Sequence, residues 1–277
     1  MHGARSGATK TAPDWPIFAI VVSRENQVNE PSPKGEGLQL RLKAACCLES
    51  TGSRSRQSLR LEGEGFADSL EKWTMKTLGI LGSTREGGNT EILLDAALDE
   101  ARQEGGSARK IALRDKVIAP CNGCMSCAPA GECILRDDMQ EVYQAIRESD
   151  SIIWASPVYY WSMTGLAKIA LDRTFALNFP TLQQAGKIGG LILVAGIRGC
   201  VSAANPFHMY FLYNHMFAAE FTWGYAADKG AIRSDLTAMN MAREMVRQMR
   251  ALFRAKLRYP EEFDKPLHRL VRERYGA

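Results

Sequence analysis

At 277 residues the chain is long enough for one large domain or two small ones. Its composition, 45% apolar and 24% charged, is that of an ordinary globular protein, and no run of about 18 apolar residues is present to cross a bilayer. Thirty-five basic against 31 acidic residues leave a net charge of +4, too slight a bias to argue for a nucleic-acid partner.

Residues 1–74 are polar, with Gly, Pro and Ser scattered through "SRENQVNEPSPKGEG" and "ESTGSRSRQSLRLEGEG". They are read as a poorly structured or loosely packed extension. An alternative is that Met75 is the natural start and the upstream residues a mis-assigned extension. The opening "MHGARSGATKTAPDW" lacks the long apolar core of a secretory signal, so the cytoplasm is the expected location.

From residue 75 to about 260 the pattern alternates. "TLGILGS" is a short apolar run that predicts a buried parallel strand. "NTEILLDAALDEARQEGG" has helical spacing and a Gly105-Gly106 stop. "ARKIALR" predicts a second strand. "DDMQEVYQAIRESD" predicts a helix, with Asp138 as its cap and Glu141 three residues on. "SIIWASPVYY" and "KIGGLILVAG" predict the third and fourth strands, with a helix in "MTGLAKIALDRT" between them. A helix over roughly 203–217, a fifth strand in "FTWGY" and a long helix in "DLTAMNMAREMVRQMRALFRAKL" follow. Residues 261–277 are left as a C-terminal tail. Strands and helices alternating at this spacing imply an α/β three-layer sandwich with ligands outside the carboxyl ends of its strands.

Three loops at that edge carry chemistry. "GILGSTREGGNT" has glycines for tight turns, hydroxyls, an arginine and the start of a helix, which together suit a phosphate. It is neither G-x-G-x-x-G nor G-x-x-x-x-G-K-[ST]. An ordinary helix-capping turn is the plain alternative. "ASPVYYWSM" clusters Tyr159, Tyr160 and Trp161 after Pro157, a setting for a flat ring, although aromatics more often fill cores or interfaces. The third loop, 117–137, holds Cys121, Cys124, Cys127 and Cys133 in C-x2-C-x2-C-x5-C spacing. Four thiolates can ligate a cubane [4Fe–4S] cluster. Zinc, a C-x-x-C dithiol and a loop with no stable metal stand beside that reading. Cys46, Cys47 and Cys200 are unassigned.

"GILGSTREGGNT", "CNGCMSCAPAGECILRDDM" and "ASPVYYWSMTGLAKIALDRT", in that order, resemble the flavodoxin-like FMN reductases, specifically their iron–sulfur flavoprotein branch. The resemblance covers about residues 75–260. It implies a flavodoxin-like three-layer sandwich with a five-stranded parallel sheet, the cysteine loop being an insertion. It implies FMN held at its phosphate by Ser83, Arg85, Asn89 and Thr90. It places the isoalloxazine against Pro157, Val158, Tyr159, Tyr160, Ser162 and Met163, with Gly196 and Arg198 on a third loop. It also implies a homodimer or homotetramer.

FMN accepts a hydride or two single electrons, whereas a [4Fe–4S] cluster passes one at a time. The expected function is therefore an FMN-dependent oxidoreductase or electron-transfer protein that couples flavin to cluster, with no residue acting as acid or base. NAD(P)H or a ferredoxin or other small carrier is the expected donor. A cluster-free NAD(P)H-dependent FMN or quinone reductase is one alternative, and a non-enzymatic flavin carrier or redox sensor another.

Overall fold

The computed structural model describes residues 74–263 and 265–276, so the expected extension, Thr74 apart, lies outside the described residues. Six strands form one sheet: β1 (Lys76–Leu81), β2 (Ser107–Ala112), β3 (Ser151–Pro157), β4 (Ile188–Ala195), β5 (Phe217–Ala218) and β6 (Thr222–Tyr225). All pairings are parallel and the order is β2-β1-β3-β4-β5. β6 also pairs with β4, opposite Ile192–Ala195, while β5 sits opposite Ile188 and Gly189. The fifth position is thus one strand in two pieces, and the sheet has five strand positions in flavodoxin order.

β1, β3 and β4 are buried almost throughout, which is why they read as continuous apolar runs. β2 lies at the edge, and Arg109 and Lys110 within it blunt that edge. Helices α1 (Asn89–Gln103) and α6 (Leu236–Arg254) cover one face. Helices α3 (Met139–Glu148), α4 (Gly165–Arg173) and α5 (Cys200–Tyr213) cover the other, and a four-residue α2 (Cys127–Ala130) lies in the cysteine loop. The methionine stripe of α6 packs inward, with Met245 and Met249 buried against the sheet. Two glycines let both layers close on β4. A β-carbon on Gly189 would stand 2.8 Å from the Phe211 ring, and one on Gly190 2.8 Å from Met249 Sδ. The stretch read as a tail contains α7 (Leu267–Tyr275), whose Arg269 donates to the Pro180 carbonyl at 2.6 Å.

The cap of α3 differs from expectation. The Asp138 carboxylate accepts from Val117 N–H at 2.7 Å rather than from its own helix. Asp137 reaches Met139 N–H instead, at 3.1 Å. Glu141 pairs with Lys116 and Arg109 across the loop.

Candidate functional site

The loops after β1, β3, β4 and β6 meet at the carboxyl edge of the sheet around a cavity of about 290 Å3. Its wall takes Ser83, Arg85, Gly88, Asn89 and Thr90 from the first loop and Pro157, Val158 and Tyr159 from the second. Val194, Ala195, Gly196, Ala226 and Ala227 complete it. The structure therefore brings Ser83, Arg85, Asn89, Thr90, Pro157, Val158, Tyr159 and Gly196 together. Tyr160, Ser162, Met163 and Arg198 do not line this cavity.

The first loop is held by close packing. A β-carbon on Gly82 would lie 2.7 Å from Ala167 Cβ, so only glycine lets α4 approach β1. Thr164, which caps α4, donates to the Gly82 carbonyl at 2.7 Å. The Ser83 hydroxyl is turned back on the loop, 3.2 Å from both Arg85 N and Arg85 O. Gly87 takes φ +60° and donates its N–H to Glu91 at 2.8 Å. The first internal bond of α1 runs from Ile92 N–H to Gly88 O at 3.0 Å. The N–H groups of Asn89, Thr90 and Glu91 consequently have no intrahelical acceptor, and the positive end of the helix dipole faces the loop.

The charges near this loop divide into used and unused. Glu91 is buried and accepts from Lys110 at 2.8 Å and Arg114 at 3.0 Å. Burial works to raise its pKa, but those two cations and the Gly87 N–H outweigh it and hold Glu91 at about 2. Lys110 is shared with Asp95. Arg85, by contrast, is exposed and forms no ion pair among the described residues.

Asn89 is fully engaged through its side chain. Its Nδ2 donates to Ala226 O at 3.1 Å and to Asp228 O at 2.7 Å. Its Oδ1 accepts from Gly230 N–H at 2.8 Å and Ile232 N–H at 3.4 Å. Of the two ways Asn89 could meet an anion, only its backbone N–H is left.

The second loop is a narrow hairpin. Tyr159 N–H donates to Ser162 O at 2.9 Å and Ser162 N–H to Tyr159 O at 3.1 Å. The two residues between, Tyr160 and Trp161, sit at φ 48° and 67°, a turn geometry usually filled by Asn and Gly. Tyr160 is 97% exposed at the tip. Val158 N–H is taken by Val194 O at 2.8 Å, which ties this loop to β4. Tyr159 OH stands 3.4 Å from Thr84 Oγ1 and links it to the first loop. Met163 is buried in the core, and Arg198 is exposed on the loop after β4.

Sequence reasoning missed Ala226, Ala227 and Val194. Alanine and valine carry no chemical signature. The one available signal was positional, since 226–227 follow the last strand at the same sheet edge as the other loops.

The cysteine loop requires a correction. Among the described residues, no group of three or more His, Cys, Asp or Glu side chains is placed to hold a metal ion. Cys121, Cys124, Cys127 and Cys133 do not form the four-thiolate cage expected of a [4Fe–4S] site, and the iron–sulfur, metal-binding and cluster-coupled readings are withdrawn. The four differ in exposure. Cys121 and Cys124 are exposed, whereas Cys127 and Cys133 pack against the core. Burial pushes the Cys127 thiol up.

Residues 75–227, more than half of the chain, match the NADPH-dependent FMN reductase family. The chain belongs to that family. Its relatives include an iron-sulfur flavoprotein of Archaeoglobus fulgidus, 46% identical over 125 residues, covering 44% of this chain and 56% of that one. An iron-sulfur flavoprotein of Methanocaldococcus jannaschii is 36% identical over 144 residues, covering 51% of this chain and 74% of that one. The match thus spans little more than half the length of the Archaeoglobus relative. The fold also resembles RosB, with a TM-score of 0.57 at 19% identity over 66% of this chain and 80% of that one.

As a test of fit, the reductase-family cofactor can be set against these residues. Orphan helix N–H groups, the unpaired Arg85 and the Thr90 hydroxyl are a donor set for a phosphate. Pro157, Val158, Tyr159 and Gly196 supply a flat, largely apolar wall. The residues fit FMN.

Proposed function

We propose that the protein is a cytoplasmic FMN-dependent oxidoreductase that takes reducing equivalents from NAD(P)H. The observation that carries this reading is the convergence, on one cavity, of a helix-start loop carrying Arg85 and Thr90 and an apolar wall edged by Tyr159. When bound, FMN would supply the hydride-accepting chemistry. The chain's own task is placement. Arg85, the N–H groups of Asn89 and Thr90, and the Thr90 hydroxyl would hold the phosphate. Pro157, Val158, Tyr159 and Gly196 would flank the ring and keep water from one side of it. The cavity wall has no carboxylate, imidazole or thiol. Proton transfer by a wall residue has no obvious agent beyond the Tyr159 hydroxyl, so the role of the protein is to bind and orient.

We further infer a homodimer or homotetramer. Val201, Met209 and Leu212 are exposed along α5, an apolar helix that a second copy would cover. A ferredoxin or other small carrier is the second candidate donor.

Fluorescence titration with FMN and riboflavin, followed by anaerobic addition of NADPH or NADH, tests the reading. FMN should bind about tenfold or more tighter than riboflavin, and its absorbance should bleach with reduced nicotinamide. Failure to bind FMN overturns the proposal. Bound flavin that bleaches only with a reduced ferredoxin transfers the donor role to the carrier, and flavin that no donor reduces in turnover favours a sensor.

A further inference from the structure

Lys229 was singled out by no motif and does not line the cavity. It lies in the segment 226–232, which follows β6 and is fastened to the first turn of α1 by the four bonds of Asn89. That fastening sets Lys229 across Gly87. Its Cε and Nζ stand 3.5 and 3.8 Å from the position that a β-carbon would take on Gly87. Gly87 adjoins the cavity-lining Gly88, and Lys229 follows the cavity-lining Ala227 by two positions, so the ammonium stands beside the rim of the cavity.

The charge inventory gives this position its meaning. Lys110 and Arg114 are neutralised by Glu91 and Asp95. Among the described residues Lys229 forms no ion pair, nor does Arg85 of the same loop. Two cations without ion pairs, Arg85 and Lys229, therefore stand at a loop whose helix N–H groups have no intrahelical acceptor, and the exposed Glu86 is the one carboxylate of that loop. One cation and a helix end suffice for a monoanion. A second cation adds attraction for the second charge of a dianionic monoester.

We propose that Lys229 is a specificity-determining residue that selects a phosphorylated flavin over its dephosphorylated form, and that the Asn89 side chain serves to position it. This rests on the FMN reading above. In that arrangement the Asn89 amide acts through the 226–232 segment rather than on the phosphate itself.

The test is a set of paired titrations of the full-length protein with FMN and with riboflavin. Lys229→Ala should weaken FMN by about three- to tenfold and leave riboflavin within about twofold, the range expected for one exposed ion pair beside a helix end. Lys229→Arg should restore the preference. Raising the salt concentration should narrow the wild-type preference more than that of Lys229→Ala. Asn89→Ala should lower the FMN-to-riboflavin ratio as well, because the segment that carries Lys229 is released. An unchanged ratio in Lys229→Ala overturns the inference while leaving the FMN reading intact. A wild-type protein with no preference for FMN overturns both.

Discussion

The Arg173 guanidinium, completely buried, closes the cysteine loop by gripping Asp137 with both terminal nitrogens, at 2.7 and 3.1 Å. The same guanidinium donates to the Ala119 carbonyl at 2.7 Å, and Asp137 accepts the Ala119 N–H at 2.9 Å. The two ends of a loop of nearly twenty residues are therefore pinned to the last residue of α4. Burial works against the Asp137 charge, but Arg173 and the N–H groups of Ala119 and Met139 more than offset it and lower its pKa. Arg173→Ala should destabilise the protein by about 3–5 kcal/mol, since it strands a partly buried carboxylate. Asp137→Asn should cost less, because an amide oxygen still accepts from Arg173. Urea denaturation of both variants measures the difference, and equal stability to wild type would show that the buckle contributes nothing.

Glu91 gives stability a pH window. Its pKa is depressed from the ordinary 4.5 to about 2, so the folded state favours the carboxylate. Its contribution is complete above 4.5 and is lost as pH falls from there toward 2. The full loss is on the order of 3 kcal/mol. Glu91→Gln should be less stable than wild type at neutral pH, with the two curves converging in acid. Parallel curves down to the acid limit would remove Glu91 as the source.

Gly82 tests the fit of β1 to α4. Gly82→Ala places a methyl against Ala167 and the Thr164 hydroxyl, and should cost about 1–3 kcal/mol through overpacking. Thermal melts should show the loss, and Ala167→Gly in the same chain should recover part of it. No recovery would place the strain elsewhere.

The thiols should separate by reactivity. Hydrogen bonds from Ser126 lower the pKa of the exposed Cys124, while burial raises those of Cys127 and Cys200. Alkylation at neutral pH, mapped by mass spectrometry, should mark Cys124 first and Cys200 only on unfolding. Ser126→Ala should slow Cys124. Uniform labelling of Cys121, Cys124, Cys127, Cys133 and Cys200 would contradict these environments.

Much of the fold was legible because its central strands are buried on both faces. "TLGIL" and "LILVA" could not be other than interior strands of a parallel sheet once helices alternated with them. The fifth strand was harder, since two short pieces of two and four residues leave little pattern. The loops that build the cavity could be located from the strand ends alone. What their side chains do there could not. The formula of Asn89 offers donors and acceptors, but only the chain path shows that all four go to 226–232. The cysteine spacing likewise says which atoms could ligate together, while the path of the loop puts two thiols outside and two against the core.

The Asn89 clasp joins groups 137 and more positions apart in sequence, from the first helix to the segment after the last strand. Nearly the whole domain must be made and threaded before that clasp can close. A ribosome-bound chain that has not yet released Thr222–Tyr225 has one side of the cavity missing. The cavity wall is therefore complete only once Ala226 and Ala227, late in the domain, are in place beside the first helix.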